Sequence, residues 1–220
     1  MIKLEINLKD NDYYTSEALK TIRTNVLFCG EDVKTIAITS TIPGEGKSSV
    51  SFELARSLAE AGKKVIFIDA DLRKLAIVGR YKIKQAIKGF THYLSGQNVI
   101  GEVLQNTNIE NLHMIIAGPV PPNPAELLGG KKFKVVIQAL RDTYDYVIID
   151  TPPLGSVIDC AIVAKECDGA ILVIEDNKIS YKFAQKVKEQ LEKTGCTILG
   201  VVMNKVKVSK DDYYKKYYGE

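Results

Sequence analysis

Nowhere does this chain carry an apolar run approaching the roughly 18 residues that a bilayer-spanning helix needs. Its opening, MIKLEINLKDND, lacks the basic head and apolar stretch of a secretory signal. The chain by itself is therefore expected to be soluble. No charge of one sign dominates either: 30 Lys+Arg against 27 Asp+Glu leave a formal +3. That balance does not suit a protein whose main task is coating nucleic acid or an anionic membrane, so no nucleic-acid partner is expected and any basic function must be local. Cysteine is scarce. Cys29, Cys160, Cys167 and Cys196 fall at spacings that match no zinc or redox motif and make no disulfide framework, which points to reduced thiols in the cytoplasm. His92 and His113 lack metal-ligand partners and read as structural. The sequence shows no internal repeat and no interdomain linker.

What is present suffices for one globular domain: 220 residues, 45% hydrophobic and 26% charged. From residue 33 onward, short β-branched runs alternate with segments of helical period. The runs are VKTIAITS (33–40), KKVIFIDAD (63–71), LHMIIAG (112–118), YDYVIID (144–150), GAILVIE (169–175) and TILGVVMN (197–204). Most are apolar throughout, as expected of parallel strands covered by helices on both faces. Between them Val50, Leu54 and Leu58 repeat at helical spacing, as do Phe183, Val187 and Leu191, and Gly62 and Gly195 stand where helix C-caps belong. The fold class that follows is α/β: an open, mostly parallel twisted sheet flanked by helices, with ligands beyond the carboxyl ends of the strands. Ahead of this core, Tyr13 to Phe28 reads as an amphipathic helix with Leu19, Ile22, Val26 and Leu27 on one side. Residues 1–208 are expected to form a single domain, and 209–220 a mobile tyrosine-rich tail with too little apolar surface to offset its ordering entropy.

Three motifs converge on a nucleotide. The first predicted strand runs into Thr41-Ile42-Pro43-Gly44-Glu45-Gly46-Lys47-Ser48-Ser49 and then into the Val50/Leu54/Leu58 helix. Strand, glycine loop, Lys-Ser and helix make a phosphate-binding loop, because the glycines let backbone N–H groups of 44–49 turn inward and the helix N-terminus faces the anion. Lys47 would reach the β- and γ-phosphates and the Ser48 hydroxyl would ligate magnesium. Thr41 stands where the GxxxxGK[ST] pattern has its first glycine. A second strand ends in Asp69-Ala70-Asp71-Leu72-Arg73, two carboxylates and a guanidinium suited to metal binding, proton acceptance or charge stabilisation. From sequence, Arg73 reads equally as a partner in a structural ion pair. A third ends at Asp150 before Thr151-Pro152-Pro153, the place where nucleotide hydrolases hold the magnesium hydration shell. Together these predict ATP and Mg2+. Asn204 closes the last strand and can meet a purine edge, while Lys207 occupies the position at which guanine-selective loops carry aspartate, so ATP is favoured over GTP.

The acceptor is suggested by tyrosine. Of 11 in the chain, Tyr213, Tyr214, Tyr217 and Tyr218 crowd into the last eight residues, among Lys210, Asp211, Asp212, Lys215 and Lys216. Solvated tyrosines on such a tail suit phosphoacceptors, able to enter an active site as core tyrosines are not.

The order IPGEGKSS, VIFIDADLRK, YDYVIIDTPP and a terminal tyrosine cluster resembles the bacterial tyrosine kinase family, the cytoplasmic autokinases of capsular and exopolysaccharide synthesis. Two further stretches are similar: Gly118 to Leu128 matches the proline-rich GPxPPNPxELL segment, and Glu17, Lys20 and Arg23 match the ExxRxxR helix that family members use to form rings. The resemblance implies a P-loop NTPase of the partitioning-ATPase-like group whose catalytic residues are Lys47, Asp69, Asp71 and Asp150. Ser48, Asp69 and Asp150 would hold the metal, and Pro43 to Ser49 with Asn204 the nucleotide. Asp69 would orient or deprotonate the tyrosine hydroxyl, with Asp71 second. The family also implies a homo-oligomeric ring, a separate membrane adaptor of the chain-length-determinant type that recruits the kinase to the inner face of the membrane, and an opposing tyrosine phosphatase.

Lys20 departs from the family's first arginine, keeping the charge but losing planar bidentate geometry. Leu75 replaces a proline, and Gly129-Gly130 is expected to interrupt a helix. The alternative is a nucleotide-switched positioning ATPase of the partitioning or septum-site type, although that group usually carries a loop lysine where this chain has Ile42. A non-catalytic, nucleotide-dependent assembly module is a second rival, since binding uses the same groups as catalysis. The basic stretch of Arg80, Lys82, Lys84 and Lys88 reads as a solvated face, and Tyr13 and Tyr14 as packed or exposed.

Overall fold

Strong apolar strands dictate the architecture of the computed structural model, which describes residues 3–8, 11–74, 76–81, 83 and 88–207. In chain order the first elements are β1 (Lys3–Leu4), α1 (Tyr13–Leu27), β2 (Thr35–Ser40), α2 (Lys47–Glu60), β3 (Val65–Asp69) and α3 (Ala76–Arg80). There follow α4 (Phe90–Leu94), α5 (Ile100–Val103), β4 (Gln105–Thr107), β5 (Leu112–Ile115), α6 (Pro124–Leu128) and α7 (Lys131–Thr143). The chain continues through β6 (Tyr146–Asp150), α8 (Asp159–Ala164), β7 (Gly169–Glu175), α9 (Tyr181–Glu192) and β8 (Thr197–Asn204). The strands form one sheet in the order β1-β4-β5-β3-β6-β2-β7-β8. Every pairing is parallel except β4 with β5.

Successive side chains leave a strand on opposite faces, so each apolar run feeds two cores. Ala37, Ile66, Ile68, Val147 and Ile149 pack with Phe133 and Ile137 of α7. On the other face Ile36, Ile38, Val65, Phe67 and Ile148 pack with Phe52, Leu54 and Leu58 of α2 and Val26 of α1. Two buried faces explain why the strands read as continuous rather than alternating.

Gly62 ends α2 as predicted: at φ +83 it lets the Gly62 and Lys63 amides return to the carbonyls of Ala59 (2.9 Å) and Leu58 (3.2 Å). Asp12 caps α1 through the Thr15 amide at 2.8 Å. Leu19 and Val26 are buried, but Leu27 is exposed. Neighbouring helical residues lie about 100° apart, so Val26 and Leu27 cannot both face α2. Gly129 and Gly130 separate α6 from α7, the interruption the sequence leads one to expect. The short strands β1 and β4, only two and three residues long, carry no periodic signal and were not foreseen. Leu75, Lys82, Lys84 and the whole segment 208–220 lie outside the described residues. No helix among the described residues is long and apolar enough to cross a membrane.

Candidate active site

Sheet order brings the three motifs together. β6 lies between β3 and β2, so Asp69 and Asp150 are register partners at adjacent strand tips and the glycine loop leaves the strand beside them. The Ala70 amide donates to the Asp150 carbonyl at 2.8 Å and the Thr151 amide to that of Ile38 at 3.0 Å, holding the three tips in one row.

Loop shape comes from a contact the sequence did not announce. Glu45 is fully buried, and its Oε2 accepts from the Thr41 amide (2.7 Å), the Thr41 hydroxyl (2.7 Å) and the Ile42 amide (2.9 Å). Its other oxygen accepts from the Glu175 amide at 3.2 Å. Thr41, at the missing glycine position, is thus tied across the loop to Glu45. The Glu45 side chain, expected with the nucleotide-binding set, is turned into the protein and leaves only its backbone for a phosphate.

Gly44 and Gly46 have φ values of +90 and +91, the left-handed region that glycine enters without strain. A Cβ on Gly46 would fall 2.1 Å from Asn204 Nδ2, because that amide donates to the Glu45 carbonyl at 2.8 Å. Lys205 likewise donates to the Gly44 carbonyl at 2.7 Å. Asn204, read from sequence as a contact for the purine, therefore places its amide on the glycine loop, and it does not line the cavity described below.

Lys47 opens α2, and its ammonium lies 3.0 Å from Asp71 Oδ2, 3.4 Å from Asp150 Oδ2 and 3.0 Å from the Ser48 hydroxyl. Burial alone would lower its pKa; the charges of Asp150 and Asp71 outweigh that and hold it charged. Burial pushes the Asp69 carboxyl well above the ordinary range, reinforced by the Asp150 charge. Burial also raises Asp150, against the pull of Lys47, Ser48 and Ser51. The Ser51 hydroxyl, unsuspected from sequence, lies 3.0 Å from Asp150 Oδ1. It stands one helical turn beyond Lys47 on the same face, the spacing that would have identified it.

Asp69 Oδ2 and Asp71 Oδ1 are buried with no hydrogen-bond partner. Carboxylate oxygens left this way at a strand tip suit a hard dication, so the residues fit Mg2+. Among the described residues no group of three or more His, Cys, Asp or Glu could by itself hold a metal. Phosphate oxygens and waters would supply the remaining ligands.

Lys47, Ser48 and Asp71 face a cavity of about 490 Å³, lined also by Pro43, Gly44 and Gly46 on one side and by Arg73, Lys74, Ala76 and Arg80 on another. Pro152, Pro153, Ser156 and Val157 form its third wall. Asp71 reaches the wall, whereas Asp69, Asp150 and Ser49 are not part of the lining. Arg73 is resolved as an ion-pair residue: its Nε and Nη2 each lie 2.8 Å from an oxygen of fully buried Asp159. Asp159 was not singled out from sequence; it is the acidic residue in the first turn of α8.

Glu17, Lys20 and Arg23 lie on α1, away from this cavity. Lys20 pairs with Glu17 at 2.7 Å, and Arg23 donates to the Ser57 carbonyl (3.1 Å) and hydroxyl (3.2 Å) of α2. The acceptor candidates Tyr213, Tyr214, Tyr217 and Tyr218 lie outside the described residues.

A family model described as AAA domain matches residues 33–198. Tyrosine-protein kinase CpsD of Streptococcus agalactiae serotype III (strain NEM316) is 46% identical over 199 residues, covering 90% of this chain and 86% of that protein. Among solved structures, that of the chimerical protein CapA2B2 is similar with a TM-score of 0.85 at 31% identity, covering 94% of this chain and 95% of that one. The septum site-determining protein MinD of Pyrococcus horikoshii OT3, solved with Mg-ADP, has a TM-score of 0.69 at 27% identity, over 82% of this chain and 73% of that one. The kinase relative thus shares more with the chain than the positioning ATPase does.

Proposed function

The chain belongs to the bacterial tyrosine-protein kinases and to the AAA domain family, and from that premise we propose that it phosphorylates tail tyrosines of a neighbouring copy with MgATP as donor. Tyr213, Tyr214, Tyr217 and Tyr218 are the acceptors, residues 209–220 the tail and residues 1–208 the kinase domain. Copies assemble into a ring through Glu17, Lys20 and Arg23 of α1. The activity regulates capsular or exopolysaccharide synthesis and export, at the inner face of the membrane, where an adaptor recruits the kinase and a tyrosine phosphatase opposes it.

One observation carries the reading. Lys47 and Asp71 meet beside a glycine loop at a cavity of about 490 Å³, and unpartnered carboxylate oxygens of Asp71 and of Asp69, which is buried at the adjoining strand tip, are left for a cation. Phosphoryl transfer has a loose transition state, so the protein's work is positioning and charge neutralisation. Backbone amides of 44–49 and the Lys47 ammonium hold the phosphates, with Lys47 exchanging its carboxylate contacts for phosphate oxygens. Ser48, Asp69 and Asp150 would hold a magnesium ion, which would supply positive charge against the phosphates. The tyrosine oxygen bonds to the γ-phosphorus as the bond from that phosphorus to the β–γ bridging oxygen breaks, releasing ADP. The phenolic proton passes to Asp69, with Asp71 as the second acceptor on the cavity wall. A phenol with a pKa near 10 keeps its proton until that moment, so a carboxylate within reach assists. Each phosphate then adds roughly −1.5 to −2 charges to the tail, and phosphorylated tails repel one another and open the ring.

Lys47→Met tests the site. The variant is expected to retain its circular dichroism and thermal transition but to lose tail phosphotyrosine on incubation with MgATP, read by mass spectrometry. Incorporation at the wild-type rate would overturn the assignment, as would undiminished self-labelling after truncation beyond Val208.

A further inference from the structure

Among the described residues the cavity walls carry four cations, Lys47, Arg73, Lys74 and Arg80, against one carboxylate, Asp71. Two of these cations are satisfied internally: Lys47 by Asp71 and Asp150, and Arg73 by Asp159. Lys74 and Arg80 are exposed on the segment that follows β3, and neither forms an ion pair among the described residues. The glycine loop leaves β2 and this segment leaves β3, with β6 between them. Strands lie about 4.8 Å apart, so the two walls start roughly 10 Å from each other. The segment after β3 thus stands across the cavity from the glycine loop, and Pro153 and Val157 of the same cavity form an apolar wall suited to a phenol ring.

The tail presents two tyrosine pairs with opposite charge before them: Asp211-Asp212 precede Tyr213-Tyr214, and Lys215-Lys216 precede Tyr217-Tyr218. We propose that Lys74 and Arg80 are specificity-determining residues that select acidic sequence on the N-terminal side of the acceptor, so that Tyr213 and Tyr214 react before Tyr217 and Tyr218. The proposal rests on the reading that tail tyrosines are phosphorylated in trans. Two exposed ion pairs supply a preference of about 5-fold, and that preference weakens as salt screens them.

The test uses an enzyme copy whose Tyr213, Tyr214, Tyr217 and Tyr218 are all changed to Phe, acting on a Lys47→Met copy with an intact tail. Mass spectrometry at early times reads the ratio of phosphate on 213/214 to that on 217/218. We expect about 5 to 1 for the enzyme with native walls and a ratio near or below 1 for the Lys74→Glu, Arg80→Glu enzyme. In a substrate tail with Asp211 and Asp212 changed to Lys and Lys215 and Lys216 changed to Asp, the native-wall enzyme should prefer Tyr217 and Tyr218. A ratio that is the same for both enzymes overturns the proposal, even if the tail exchange alters it or the altered walls raise the KM for ATP. Absence of phosphate from every tail tyrosine with the native-wall enzyme instead overturns the trans-phosphorylation reading itself, and total label separates the two failures.

Discussion

At Gly46 the chain leaves no room for a side chain: the backbone is left-handed, and the Asn204 amide fills the place where a Cβ would stand. Gly46→Ala should therefore lose about 1–2 kcal/mol from the backbone alone, and more from displacement of the Asn204–Glu45 hydrogen bond. Urea denaturation should show the loss, and calorimetry with ATP and Mg2+ should show at least a tenfold weaker complex. Adding Asn204→Ala should cost less than the two single changes summed, because the clash disappears with the side chain. Wild-type stability and affinity in Gly46→Ala would mean that the loop is held differently. The positions of Lys47, Asp69 and Asp150 at a helix start and two strand tips were legible in the sequence, because the apolar strands and turn residues beside them announce where those elements begin and end. The hydrogen bonds of Glu45 and Asn204 were not: the Glu45 carboxylate folds back on Thr41 and Ile42 of its own loop and meets the distant Glu175 amide, and the Asn204 amide reaches the Glu45 carbonyl across 159 residues of sequence. A buried carboxylate that accepts from four donors and a loop glutamate that touches a nucleotide look alike in one dimension.

At the scale of an element, α1 has two kinds of polar contact. The Lys20–Glu17 pair is exposed and of the type that contributes little, whereas Arg23 reaches across to the Ser57 carbonyl of α2. Arg23→Ala should destabilise the isolated chain by about 1 kcal/mol, the size of a typical net hydrogen bond. Lys20→Ala should leave that stability within a few tenths. If α1 also builds the ring, both changes should shift the oligomer toward monomer in analytical ultracentrifugation. A ring unaffected by either would remove α1 from the interface. The existence of α1 was readable from its apolar spacing, but the outward turn of Leu27 was not, because it depends on where α2 lies. β1 and β4 were invisible for another reason: two or three residues are too few to show a period, and their pairing is decided by the neighbours they meet.

Across the whole molecule, the end of the sheet opposite the cavity is tied by Asp168. It accepts from the Lys34 amide (3.0 Å), the Thr35 amide (2.8 Å) and hydroxyl (2.7 Å), and Arg141 of α7 (3.1 Å). Burial alone would raise its pKa; the bonds from Thr35 and Lys34 and the Arg141 charge outweigh burial and lower it. A carboxylate depressed on folding contributes stability above its unfolded pKa of about 3.9 and loses that contribution as pH falls through the folded value. Chemical denaturation of wild type and Asp168→Asn should thus show a gap that is full near pH 6 and narrows steadily below about pH 4. A gap constant down to pH 2.5 would rule out the ionised tie.

The alternation of apolar runs with helical periods determined an α/β sheet by itself, because a strand that is hydrophobic on both sides has to be covered on both sides. The same sequence placed a lysine and three aspartates at strand tips and a helix start, since turn residues and glycines mark where strands end. Only the tertiary structure decided which tips are neighbours, that Arg73 is held by Asp159, that Glu45 braces its own loop and that Lys74 and Arg80 are left to face the cavity. Those outcomes follow from strand order and from competition among distant partners for each charge, quantities that exist only once the chain has closed on itself.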